Sequence, residues 1–173
     1  MTLKGQNIYL RALEPLDLDF LYELENNPEI WEISGTITPY SKQVLRIYLE
    51  NAHRDIYDVK QLRLCICENS AKLIGLIDLF DFDPKNQRAG LGIVVLQDEE
   101  RNKGVGSEAI RLLCQYAFET LNLHQLYANV SCDNEISIHL FEKMGFERVG
   151  VKKDWIFSLG AYKNEILFQK INK

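Results

Sequence analysis

Residues Arg101 to Ser107 read RNKGVGS, with two glycines two apart behind an arginine. An apolar run, GLGIVVL from Gly90 to Leu96, precedes them. A helical pattern, GSEAIRLLCQYAFETL from Gly106 to Leu121, begins inside them. The spacing therefore predicts a strand feeding a glycine bend that feeds a helix. Gly104 and Gly106 tolerate positive φ and let a ligand approach the backbone. Amides at a helix start lack intrahelical partners and sit at the positive end of the dipole. That arrangement suits a diphosphate. A dinucleotide fold would need G-x-G-x-x-G after a strand and an acidic residue about 20 positions on. The glycine spacing here does not fit it, and alternating βα units are missing.

The elements that must position this bend follow in order along the chain. Asn7 to Leu13 reads as a first strand. Pro15 opens a helix whose stripe is Leu18, Leu21 and Leu24, and Pro28 closes it. Glu29 to Tyr40 has no clear period and reads as a loop. Ser41 caps a second helix carrying Val44, Leu45, Tyr48, Ala52 and Ile56 on one side. Gln61 to Glu68 and Leu73 to Phe82 form a hairpin about Asn69-Ser70. The turn Asp83-Pro84-Lys85-Asn86 leads to a fourth strand, Arg88 to Leu96, apolar on both faces as in the middle of a sheet. Gly90 and Gly92 within it signal a bulge or a close backbone approach.

The long helix bears Ile110, Leu113, Tyr116 or Ala117, and Leu121. Gln125 to Cys132 is the next strand. Asp133 or Asn134 caps a helix through Met144 that Gly145 ends. Phe146 to Phe157 and Ala161 to Ile171 form a closing hairpin. The crossover from the fourth strand through the long helix to the fifth places one parallel pair in a mostly antiparallel sheet. Ligands favour the place where such strands part.

A chain of 173 residues, 46% apolar and 26% charged, has the composition of one globular domain, residues 1–173. The net charge of −5 argues against a nucleic-acid partner and is compatible with a cationic substrate. No stretch reads as a leader or a membrane span, so a cytoplasmic protein is expected. Cys65, Cys67, Cys114 and Cys132 lack the spacing of a metal site and are expected as small buried hydrophobes, with no metal bound. His53, His124 and His139 receive no role.

Three separated signals then converge: Arg101-x-x-Gly104-x-Gly106; Asn134-x-x-Ser137 ending in Lys143-Met144-Gly145-Phe146; and Leu10-Arg11-Ala12-Leu13 followed by Asn26-Asn27-Pro28. Together with Gly160-x-Tyr162 they resemble the GNAT N-acetyltransferase superfamily over nearly the whole chain. The likeness is strongest to the branch of ribosomal-protein N-terminal and polyamine acetyltransferases. It implies an α+β fold: a mixed, mostly antiparallel, twisted sheet of about seven strands, flanked by about four helices and split between the fourth and fifth strands.

The resemblance implies acetyl transfer from acetyl-coenzyme A to a primary amine. It assigns the diphosphate to Arg101, Asn102, Lys103, Gly104, Val105 and Gly106, with Ser107 beside them. Val94, Val95 and Leu96 would pair with the pantetheine arm, and Asn134 would bond to it. Many members use a tyrosine as donor to the leaving sulfur. Here that position is Phe141, and the ribosomal-protein branch points instead to Ser137. The fourth strand lacks the carboxylate that many members carry between Ala89 and Ile93. Asp78, Asp81 and Asp154 are the candidate bases, with a water relay as the alternative; Ile156 stands where the ribosomal-protein branch has its own carboxylate.

The acceptor stays open between a polyamine, a protein N-terminus and a small amine. Glu29, Trp31 and Glu32 are placed to meet it. The acidic cluster that polyamine acetyltransferases carry is replaced by Ser34-Gly35-Thr36-Ile37, which counts against a polyamine. A homodimer is the default assembly. The departures at Phe141 and in the fourth strand leave a second reading, a non-catalytic GNAT-fold module that senses an acyl-coenzyme A.

Overall fold

The computed structural model describes residues 3–96 and 104–173. Seven strands form one sheet: β1 (Ile8–Ala12), β2 (Leu62–Glu68), β3 (Leu73–Asp83), β4 (Arg88–Val95), β5 (Gln125–Ser131), β6 (Glu147–Ser158) and β7 (Ala161–Ile171). Their order across the sheet is β1-β2-β3-β4-β5-β7-β6. Every neighbouring pair is antiparallel except β4 and β5. The α+β class, the seven strands and the parallel fourth and fifth strands are as the sequence leads one to expect.

The sheet is covered on both faces over β2 and β3, so these strands are apolar on both, while β6 is largely exposed. Alternation along β2 shows the division. Leu64 and Ile66 belong to one core with Ile110, Leu113 and Phe168, while Cys65 and Cys67 belong to a second with Leu21, Leu24, Leu45 and Leu49. Helices α1 (Leu18–Glu25), α2 (Pro28–Ser34) and α3 (Lys42–Glu50) cover the cysteine face. Helix α5 (Val105–Glu119) covers the other, with Phe141 of α6 (Glu135–Lys143) in the same core.

Six helices are present among the described residues, more than the four expected. Glu29 to Tyr40 is not a plain loop. Pro28 does not merely stop α1; it sits in the first turn of α2, whose first free amide, that of Glu29, is taken by the Asn27 side chain at 3.0 Å. Gly35, at φ +70°, ends α2 in the left-handed conformation. The remaining loop is closed by Asn26, whose amide side chain donates to Tyr40 O and accepts from Tyr40 N. The second expected helix also breaks. It ends at Glu50, and Ile56 opens the one-turn helix α4 (Ile56–Val59), capped by Asp55. Cys65, Cys67 and Cys114 are buried, but Cys132 is exposed, because it follows the last residue of β5. Among the described residues no helix is long and apolar enough to cross a membrane, and no three His, Cys, Asp or Glu residues group as a metal site.

One buried ion pair fixes the entry to α1. Arg11 on β1 grips both carboxylate oxygens of Asp17 at 2.8 Å, and Asp17 also accepts from Glu14 N. The Cys65 thiol donates to the same carboxylate at 3.5 Å. Burial alone would raise the Asp17 pKa, but the Arg11 bonds outweigh it and hold the carboxyl below its usual value. A carboxyl lowered in this way stabilises the fold above its unfolded pKa, and the gain disappears as pH falls through its folded pKa. Asp17→Asn should therefore cost about 3–5 kcal/mol at neutral pH, by leaving Arg11 unpaired. Denaturant unfolding at neutral and strongly acidic pH should show the difference shrinking in acid.

Candidate active site

Strands β4 and β5 pair only through Arg88↔Gln125, Ala89↔Leu126 and Gly90↔Tyr127. Beyond that point β4 stays with β3 as far as Gly75↔Val95, and β5 stays with β7 as far as Ser131↔Glu165. The two strands part, and a cavity of about 600 Å³ opens between them. It reaches both faces of the sheet. Phe141 and Ser137 of α6, with Leu91 and Ile93, line it on the α5 side. Arg63, Asp78, Gly92 and Val94 line it on the side of α1 to α3, joined by Glu32, Ser34 and Gly35 of α2 and Trp155, Ile156 and Glu165 of the last hairpin. From Leu91 onward the edge of β4 facing this gap has no strand partner. An extended ligand arm can pair with such an edge. Val94, Val95 and Leu96 lie on this stretch, and Leu96 N remains bonded to Ile74 O.

The glycine bend meets the helix as expected, shifted by one residue. Gly104, at φ +77°, is the cap, and α5 begins at Val105. The first intrahelical bond runs from Glu108 N to Gly104 O at 3.0 Å. The amides of Val105, Gly106 and Ser107 thus lack helical partners. Gly106 lies in the first turn, where a side-chain carbon would stand 3.0 Å from Leu140 of α6. Its role in the structure is close helix packing as well as exposed amide. Arg101, Asn102 and Lys103 lie outside the described residues. A second, shallow hollow adjoins Gly104 and Ser107, bounded by Lys4, Gly5, Gln6 and Arg111. There Glu108 accepts from the backbone of Gln6 and Asn7 and ties the N-terminal segment to the helix start.

Asn134 caps α6, its Oδ1 accepting from Ser137 N at 3.1 Å. The cap sets Ser137 in the first turn of the helix, on the cavity wall. Phe141, one turn further along, is buried and packs edge-on against Phe146 and stacked on Phe168. The structure thus brings Val94, Asn134 and Ser137 to one cavity.

The three candidate carboxylates separate clearly. Asp78 lines the cavity. Asp81 is exposed and accepts the Tyr127 hydroxyl at 3.5 Å, with φ +48° at a register shift in β3. Asp154 is exposed at a register shift in β6, φ +48°, with its amide held by Asn164, and it does not line the cavity. Burial pushes the Asp78 carboxyl above the ordinary range, and the Arg63 charge only partly offsets this. Its two cross-strand partners are Arg63 on β2 and Gly92 on β4.

The other acids of the cavity are already paired. Glu32 takes Lys163 at 2.8 Å and the Ser158 hydroxyl. Glu165 takes Lys152. Arg63 takes Glu25 at 2.6 Å. Asp78 is left as the lining carboxylate without an ion pair among the described residues. Sequence reasoning overlooked Arg63 and Glu165, and marked Gly92 only as a bulge or a close backbone approach. The signal for two of them was the strand pairing itself, which sets Arg63, Asp78 and Gly92 side by side.

A seven-stranded sheet split at its one parallel pair, with a glycine-capped helix at the split, defines a coenzyme A-dependent acyltransferase fold. Residues 7–147 match the acetyltransferase (GNAT) domain, and the chain belongs to that family. It is 31% identical to the spermidine N(1)-acetyltransferase of Escherichia coli K12 over 162 residues, 94% of this chain and 84% of that one. A crystal structure of spermidine N-acetyltransferase from Vibrio cholerae, in complex with CoA and spermine, superposes with a TM-score of 0.86 at 27% identity, covering 96% of each chain. A dodecameric structure of the Vibrio cholerae enzyme superposes with a TM-score of 0.79 at 28% identity, covering 96% of this chain and 95% of that one. The protein is an acetyl-coenzyme A-dependent N-acetyltransferase, transferring the acetyl group to a primary amine.

Two glycines on the sheet respond to a methyl group in opposite ways. At Gly75 the added carbon would lie 2.4 Å from Val94 O, a backbone atom that cannot move without parting β3 from β4. At Gly92 it would lie 2.9 Å from Asp78 Oδ1, the free end of a side chain. Gly75→Ala should cost about 1–3 kcal/mol of stability. Gly92→Ala should cost less than about 1 kcal/mol, since it only displaces a carboxylate. Thermal unfolding of the two variants checks the order.

Proposed function

We propose that the acceptor is a polyamine and that Asp78, Val94 and Ser137 carry out the transfer within a single acetyltransferase domain, residues 1–173. The observation that supports this most is the charge inventory of the cavity. Once Glu32, Glu165 and Glu25 are matched to their cations, one lining carboxylate, Asp78, is left to receive an ammonium group. Asp78 and Glu165 stand on β3 and β7, away from the Ser34-Gly35-Thr36-Ile37 segment, so the loss of an acidic cluster there does not empty the site of negative charge. The spermidine substrates named for the relatives agree with this reading. The dodecameric relative supports assembly of this chain beyond a dimer.

The protonated amine has no lone pair, so Asp78 accepts a proton from it. The amine then attacks the thioester carbonyl carbon. The Val94 amide donates to the oxygen as charge gathers there. As the carbon–sulfur bond breaks, the Ser137 hydroxyl donates to the departing sulfur, a task for which Phe141 has no hydroxyl. The proton lost by the nitrogen after attack replaces the one Ser137 gives to the thiolate, the proton first taken by Asp78 is released to water, and the products are an N-acetylamine, free coenzyme A and one proton.

Thiol release should be measured with spermidine, spermine, N-terminal peptides and amino acids. Turnover with the polyamines, well above the other amines, is expected; turnover confined to peptides or amino acids would overturn the assignment. Ser137→Ala should lower kcat by roughly 10- to 1000-fold while leaving coenzyme A affinity nearly unchanged by calorimetry. An unaltered kcat would remove Ser137 from the chemistry.

A further inference from the structure

Behind the acceptor end of the cavity lies a buried charged chain that the proposed chemistry does not use. Glu25, at the last turn of α1, is 7% exposed and accepts from Arg63 Nη1 at 2.6 Å. Arg63 enters from β2, lines the cavity, and stands directly across the strand pair from Asp78. Its Nε is buried without a hydrogen-bond partner. An unpartnered buried donor is costly to the fold. Arg63 is therefore not the product of packing alone.

We propose that Arg63, held from behind by Glu25, is a positioning residue that sets the charge of the Asp78 carboxylate at the acceptor end. The inference rests on the reading of Asp78 as the base. The geometry supplies each part. Arg63 and Asp78 do not form an ion pair of their own; the guanidinium is drawn toward Glu25 and acts on Asp78 across the strand spacing. Gly92 leaves room over β4 for the carboxylate, which approaches to 2.9 Å of where a side-chain carbon would be. Opposite charges favour the ionised carboxylate and like charges disfavour it. Arg63 thus favours ionised Asp78, and Glu25 opposes that twice, by its own charge and by engaging the guanidinium.

The other groups facing this point are accounted for. Burial keeps the Tyr48 phenol of α3 neutral, pushing its pKa up. Gln61 is uncharged and bonds Asp78. Glu32 of α2 and Glu165 of β7 are each paired with a lysine. The charge of Asp78 is thus governed by burial, Arg63, the Gln61 bond and Glu25, in that order.

The test is the pH profile of kcat/KM with spermidine for the full chain and three variants, with coenzyme A binding by calorimetry as the check on folding. The native acid limb should lie above the ordinary carboxylate range, since an ionised base is required. Arg63→Met should move that limb to higher pH, and Glu25→Gln should move it to lower pH, each by about 0.5–1 unit. Asp78→Asn should abolish the limb. If the limb vanishes in Asp78→Asn yet stays in place, or moves in the same direction, in the other two, the base stands and the role of Arg63 falls. A limb that persists in Asp78→Asn overturns the base itself. Should Arg63→Met fail to fold, Arg63→Gln combined with Glu25→Gln, which removes the cation without leaving Glu25 unpaired, decides: an acid limb at higher pH than in Glu25→Gln alone supports the role, and a limb at the same pH overturns it.

Discussion

The structure depends on where two parallel strands stop bonding to each other. Through Gly90 and Tyr127, β4 and β5 share a ladder; beyond them each keeps only its outer neighbour. Unpaired backbone groups in the middle of a sheet are costly unless something takes their place. A ligand whose arm carries amides can do so, and the amides at the start of α5 extend the same row of donors toward its diphosphate. The open edge of β4 and the glycine cap at Gly104 are the two places where such a ligand finds backbone groups without partners in the fold. Helix α6 sets its first turn against the gap, which puts Ser137 on the cavity wall.

The two faces of the sheet divide the labour. The face of α5 and α6 is almost wholly apolar, with Phe141, Phe146 and Phe168 packed together. Apart from Asn134 and Ser137 at the start of α6, the polar side chains near the gap include Arg63 and Asp78 on the other face, that of the core with Leu24, Cys65 and Leu76. Charges enclosed in this way interact strongly, because little water screens them. Position on a strand therefore becomes a chemical property. Shifting the β2–β3 register by one residue would turn Arg63 and Asp78 to the wrong face.

Much of this was legible in the residues. Strand and helix periods located all seven strands, the crossover and the glycine bend, because long amphipathic or doubly apolar segments carry a strong signal. Helix α2 was missed although its cap, Asn27, its first-turn Pro28 and its terminal Gly35 are all present in the sequence; a seven-residue helix offers too few turns for a clear period. The split was legible only through order of elements and family likeness. That Asp78 lines the cavity while Asp81 and Asp154 do not was not legible, since irregular backbone at Asp81 and Asp154, each at φ +48°, breaks the alternation on which counting depends. The companions of Asp78 were invisible for another reason: Arg63 and Gly92 lie far from it along the chain, and only strand pairing joins them.

One contact at the mouth has a wider meaning. Lys163 of β7 bonds Glu32 of α2 and Asp133 before α6, and both lysine and glutamate are partly open to water. This three-member ionic clasp is the polar tie that fastens the helical wall of the acceptor end to the terminal hairpin. Partly exposed pairs weaken as counterions accumulate. The hold of α2 on the terminal hairpin through these pairs therefore weakens as salt is added.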